Sequence, residues 1–308
     1  MKTIKFYSKR KIFFSISIAL ILIGVIMAFV NGGVEFDIQF TGGSVLSYSY
    51  DGELDQNKVD NVIEGSLNGK SVSVQLTKDA ISGEQNLVLS LGKDQNMGTE
   101  DQQAIIDILI SQFPENNIAL SQSRIVEPSI GARFLLNSMW ALILAFILVV
   151  IYVWYSFRKI GGLSAGIMAV IALLHDVCIL LIAYIVFGIA IDENFIAAAL
   201  TIIGFSVNDT IVIYDRIREN TLLYGRKMDI EELVDKSITQ SLTRSINTNL
   251  AVFVSIVIVY IFTEINGITS MRSFALPLTL GVISGCYSTI CLAGPLWVMW
   301  KKHKQKTA

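Results

Sequence analysis

The sequence predicts a polytopic α-helical membrane protein with six transmembrane helices and a small α+β domain between the first and second. Three observations carry this. Of 308 residues, 53% are hydrophobic and only 16% charged, where an average soluble domain has about 25% charged. Mean hydropathy is +0.57. Six apolar runs, at 12–30, 134–157, 163–191, 195–214, 246–264 and 273–300, each approach or exceed the length that a hydrocarbon core requires, roughly 20 residues for about 30 Å.

The first run follows Lys9, Arg10 and Lys11, as in a signal peptide. It is longer than the roughly 7–15 apolar residues of a signal sequence, and no small-residue cleavage site follows. It is therefore expected to stay as the first helix, after a short N-terminus of residues 1–11. The third and sixth runs are long enough to tilt or to extend beyond the bilayer. Basic residues set the expected orientation. The N-terminus, the loop after the second run, the stretch 215–243 with Arg244, and the tail 301–308 together hold 17 of the 24 Lys and Arg residues. Both termini are thus expected in the cytoplasm and residues 31–133 outside, in a multi-pass protein of a cell membrane.

The outer segment carries 15 acidic and 6 basic residues, a net −9. That suits a soluble domain and opposes nucleic acid or anionic lipid as its partner. Residues 44–50 are β-type before the turn Asp51-Gly52. Leu54, Val59, Val62, Ile63 and Leu67 recur at helical spacing. Residues 72–76 and 87–91 alternate apolar and polar. Ala104, Ile105, Ile108 and Leu109 recur helically after the candidate caps Thr99 and Asp101. A last strand is expected over 118–126. The order β-α-β-β-α-β predicts a ferredoxin-like domain. At its start, Phe40, Thr41, Gly42 and Gly43 read either as a turn before a strand or as a site of close backbone approach.

Polar residues inside apolar runs are the candidate site. Asp209 lies roughly 21 Å into the fourth run at 1.5 Å per residue. A carboxylate at that depth costs about 2.5–3.5 kcal/mol and usually marks an ion or proton path. Ser206, Asn208 and Thr210 surround it in sequence. The other reading is a polar clamp between helices. Arg244 enters the fifth run with Asn247 beyond it. It either snorkels to the interface or, helped by tilt, pairs with Asp209. His175 and Asp176, inside the third run, form either a packing pair or a secondary proton relay. In 215–243, Asp229 and Glu232 have capping-box spacing, and Ile230, Leu233, Val234, Ile238 and Leu242 follow at nearly helical intervals. An amphipathic helix lying in the cytoplasmic interface is expected there.

Other chemistry is thinly represented. Cys178, Cys286 and Cys291 all sit in apolar runs, without a CxxC, and read as small core hydrophobes. The two histidines are His175 and His303. No phosphate-binding glycine loop follows the fourth run. No metal site, cofactor or enzymatic activity is expected.

Several strings are familiar: Phe40-Thr41-Gly42-Gly43, then residues 126–131, Leu173-Leu174-His175-Asp176, residues 204–220, 244–248 and 281–290. In order along nearly the whole chain, they resemble the SecD/SecF family of protein-export membrane proteins. Two departures stand out: Asp37 and Gln39 replace the usual Gly and Asp before the glycine pair, and Pro277 replaces a small residue. The resemblance implies an RND-type half of six helices in the inner membrane of a bacterium or archaeon. It implies a SecD partner, the SecYEG channel, a translocating preprotein, surrounding membrane lipid and small accessory membrane subunits. It also implies that the proton gradient drives preproteins outward, with Asp209 and Arg244 in proton transport. The alternatives are a small-molecule efflux half-transporter and a non-transporting receptor or scaffold.

Overall fold

The structure is a computed structural model that describes residues 3–66, 72–78, 85–91, 99–225, 227–266 and 269–307. Leu67 of the expected helix lies outside the described residues, as do the side chains of the candidate caps Thr99 and Asp101. In chain order the elements are α1 (Arg10–Val30), α2 (Ile38–Thr41), β1 (Gly43–Tyr50), α3 (Gln56–Ser66), β2 (Val72–Lys78), β3 (Gln85–Leu91), α4 (Thr99–Gln112), β4 (Ala119–Val126) and α5 (Pro128–Ser156). Then come α6 (Gly162–Phe187), α7 (Glu193–Tyr224), α8 (Ile230–Ile265), α9 (Thr269–Ser288), a π-helical turn (Thr289–Ala293) and α10 (Gly294–Thr307). Among the described residues, six helices are long and apolar enough to cross a membrane, the last running from α9 through α10.

The chain divides into two compact units. One holds Phe36–Met139 with Phe262–Thr269; the other holds Met1–Glu35, Trp140–Ile261 and Ser270–Ala308. The first contains an antiparallel sheet of order β2-β3-β1-β4. Strand alternation turns one face inward. Leu46 and Tyr48 of β1 pair with Leu89 and Leu87 of β3, and all four are fully buried. Val59 and Ile63 of α3 and Ile105 and Leu109 of α4 cover that face. The paired glycines make a close approach. Asp37 caps α2 by accepting from the Gln39 amide at 2.9 Å, and Gly42 ends it at φ 77°. A Cβ at Gly42 would stand 2.5 Å from Pro128 Cα. Phe40, buried, stacks on Phe134 with ring centroids 5.4 Å apart.

In the other unit, α6, α7 and the α9–α10 segment form the interior. Gly281 and Gly285 let α9 meet α7 closely. A Cβ at Gly281 would fall 2.0 Å from Ile202 Cδ1, and one at Gly285 would fall 3.4 Å from Ser206 Cβ. Glycines four apart on one helix face suit such contact.

One expectation changes. Residues 215–243 do not form a separate interfacial helix: they complete α7 and begin α8. Ile217, Leu233, Val234 and Ile238 pack with Tyr214, Trp297 and Val298, so the apolar stripe faces protein. Asp192, accepting from the Asn194 and Phe195 amides, starts α7. Hydropathy marks the apolar stretch, but caps and breakers mark helix ends. Pro277 lies inside α9, and the helix loses α-geometry later, at Thr289–Ala293.

Candidate functional site

The best-connected buried acid is Asp176, midway along α6 and fully inaccessible. Its Oδ1 accepts from Ser284 Oγ at 2.7 Å. Its Oδ2 accepts from Ser288 Oγ at 2.6 Å and Ser206 Oγ at 2.8 Å. His175 Nδ1 stands 3.3 Å from Oδ1, while His175 Nε2 is buried without a partner. The donors come from α7 and α9, so one carboxylate ties three helices.

Asp209, also buried, is in a sparser setting. Ser206, Asp209 and Thr210 share a face of α7, as residues three and four apart do. The Asp209 carboxylate accepts from Asn249 Nδ2 of α8 at 3.1 Å. That amide also donates to the Ser245 carbonyl at 2.9 Å. The Ser245 hydroxyl is buried beside Asp209. Thr210 donates to the Ser206 carbonyl at 2.9 Å, and its hydroxyl meets that of Thr289 at 3.3 Å.

Of the residues singled out from sequence, the structure brings together His175, Asp176, Ser206 and Thr210, with Asp209 on the same face of α7. Arg244 is exposed and forms no ion pair with Asp209; its charge reaches the carboxylate through space. Asn208 and Asn247 point to exposed faces. Phe40, Thr41, Gly42 and Gly43 lie in the other unit. Sequence reasoning gave no role of their own to Ser245, Asn249, Ser284, Ser288 and Thr289, although they stand in or beside the strings 244–248 and 281–290. The glycine pair 281/285 was the available signal for the α9 hydroxyls. Serine and asparagine four apart at 245/249 was the signal on α8.

A helix bundle that hides carboxylates and hydroxyls between its spans, and turns Ile, Leu and Phe outward, is a multi-pass membrane protein. A family profile described as "Protein export membrane protein SecD/SecF, C-terminal" matches residues 108–303. The protein translocase subunit SecF of Petrotoga mobilis is 35% identical over 311 residues, covering 100% of this chain and 99% of that protein. SecDF of Bacillus subtilis is 31% identical over 98% of this chain, but only 38% of that protein is covered. Among solved structures, SecDF from Thermus thermophilus, a translocon-associated membrane protein, superposes with a TM-score of 0.79 at 27% identity. The match covers 98% of this chain and 39% of that one. The chain belongs to the SecD/SecF family of protein-export membrane proteins.

Proposed function

We propose that this chain is the SecF-type half of a proton-driven export motor, working with a SecD-type partner to draw preproteins outward through the SecYEG channel. Its setting is the inner membrane, with both termini cytoplasmic and the sheet unit outside. The element order and the strand order β2-β3-β1-β4 support reading that unit as ferredoxin-like. The fusion of SecD and SecF in one Bacillus subtilis chain supports the partnership. Relatives named as translocase subunits favour export over small-molecule efflux.

One observation carries the mechanism: Asp209 is buried in an apolar span, and Asn249 supplies its side-chain hydrogen bond from the neighbouring helix. Ionised, Asp209 holds the Asn249 amide and feels Arg244, both on α8. Protonated, it loses the charge that attracts them. The α7–α8 contact then has two states, and proton entry selects between them. A proton crossing 100 mV supplies about 2.3 kcal/mol, enough to shift such an equilibrium by more than tenfold.

The test is dye-reported proton entry into vesicles that hold this chain with its SecD-type partner. Asp209→Asn keeps the shape but carries no exchangeable proton, so flux should fall to background. Arg244→Met should do the same, and Arg244→Lys should recover only part, lacking the planar fork. Undiminished flux with a well-inserted Asp209→Asn would remove this carboxylate from the path.

A further inference from the structure

We infer that Asp176 is a second proton-binding carboxylate, connected through the hydroxyls of Ser206, Thr289 and Thr210 to the face of α7 that carries Asp209. The inference rests on the proton-driven reading above and deepens it.

The argument starts from the chemistry of the shell. Among the described residues, no Lys or Arg pairs with Asp176; its hydrogen-bonding partners are hydroxyls and His175. A shell of lysine or arginine would hold the ionised form permanently. Serine hydroxyls both donate and accept, so they can serve either protonation state. When an O–H bond forms on Oδ2, one serine must turn its hydrogen elsewhere, and the alternatives are in place. Ser288 Oγ is 3.2 Å from the Gly285 carbonyl. Ser206 Oγ is 3.4 Å from Thr289 Oγ1, which is 3.3 Å from Thr210 Oγ1. Each hydroxyl keeps one hydrogen throughout and changes only the neighbour to which it donates, so this shell fits both the ionised and the protonated carboxyl.

The backbone is shaped for this arrangement. Ser288 and Thr289 are consecutive, and in an α-helix consecutive side chains point about 100° apart. Here Ser288 ends α9 and Thr289 begins the π-helical turn, and both hydroxyls face the cluster. Single π-helical turns are rare and frequent at functional sites. Gly285 brings this segment in: a Cβ there would stand 3.6 Å from Ser206 Oγ and 3.9 Å from Asp176 Oδ2.

Among the described residues, the titratable neighbours are few. On α6 they are His175 and Cys178; on α7, Asp209; on α9, Cys286 and Tyr287. Tyr287 is committed elsewhere: its hydroxyl donates to the Phe13 carbonyl at 2.6 Å and meets Ser17 Oγ at 3.1 Å, both on α1.

The experiment is infrared difference spectroscopy of the whole chain in lipid nanodiscs across a pH titration. It reads carboxylic-acid C=O bands directly, without export or flux. The wild type should gain a buried-acid band that Asp176→Asn removes and Asp209→Asn leaves. The paired change Ser284→Ala with Ser288→Ala removes two donors to the carboxylate, so the pH dependence of that band should change. This pair also keeps the test open should Asp176→Asn fail to fold. A titration unchanged by either variant overturns the inference, as does an Asp176 band present at every pH. Loss of flux in Asp209→Asn alongside an absent Asp176 band would sink this inference and spare the functional reading. An intact Asp176 band alongside normal flux in Asp209→Asn would do the opposite.

Discussion

The two units solve opposite solvation problems. The sheet unit buries Leu46, Leu87, Leu89 and Leu109 completely and sits on an acidic stretch of chain. The bundle buries Asp176, Ser206, Asp209, Ser284 and Ser288, while Ile258, Ile261, Leu148 and Trp140 stand on the surface. Water rewards the first arrangement, because apolar area is removed from it. Lipid removes that reward, so the bundle relies on close packing and internal hydrogen bonds. Within the bundle the load is uneven: 61% of an apolar 18-residue stretch of the last span is buried, against 11% of such a stretch in the first and 6% in α8. Exposed spans of that kind have room for lipid or a second set of helices.

Substitutions can break this contrast. The largest effect is expected in the sheet unit. Leu46→Ala should cost about 2–5 kcal/mol, as cavities in packed cores do. Hydrogen exchange should show faster amide exchange across β1 and β3 with little change in α6 or α7. Uniform loosening of both units would deny their independence. Next comes Ile258→Arg, at an exposed position of α8. On a water-facing surface it would be neutral, whereas at a helix centre in lipid it should cost about 2.5–3.5 kcal/mol. Membrane-insertion efficiency measures the difference.

Smaller effects sharpen it. Ser284→Ala withdraws a donor from Asp176 and should cost about 1.5–3 kcal/mol. Asn208→Ala, on an exposed face of α7, should stay within about 0.5 kcal/mol. Thermal unfolding in detergent compares the two, and equal effects would deny the cluster its energetic role. The smallest effect concerns Tyr48, whose hydroxyl is buried without a partner. Burial pushes its phenol up to about 12 from 10.0. The fold thus holds the neutral form, and the sheet unit should lose stability as pH rises from about 10 to 12. Tyr48→Phe should flatten that loss and be neutral or mildly stabilising at pH 7, as read by denaturation at both pH values.

Much of this was legible in the sequence, for physical reasons. Apolar run length revealed six spans because bilayer thickness fixes it. Period-two alternation marked β2 and β3 and helical spacing marked α3 and α4, because a half-buried element must alternate; the short α2 was not expected. Asp209 stood out because a carboxylate in an apolar run is costly. The shell of Asp176 was not legible: its donors lie 30, 108 and 112 positions away, and single serines in apolar helices are common. Neither was the choice of Asn249 over Arg244 as the hydrogen-bonding partner. Depth along a helix can be counted from sequence, but the direction of a side chain around α8 depends on packing that no local pattern encodes.

The central claim is that Asp209 exchanges the proton that drives export. The direct measurement is preprotein translocation in membrane vesicles, with and without a proton gradient, for wild type and for Asp209→Asn at matched levels of inserted protein. The expected result is that the gradient accelerates export in the wild type and has no effect on the variant. Gradient-driven acceleration that persists in Asp209→Asn would contradict it and return Asp209 to a polar clamp between α7 and α8.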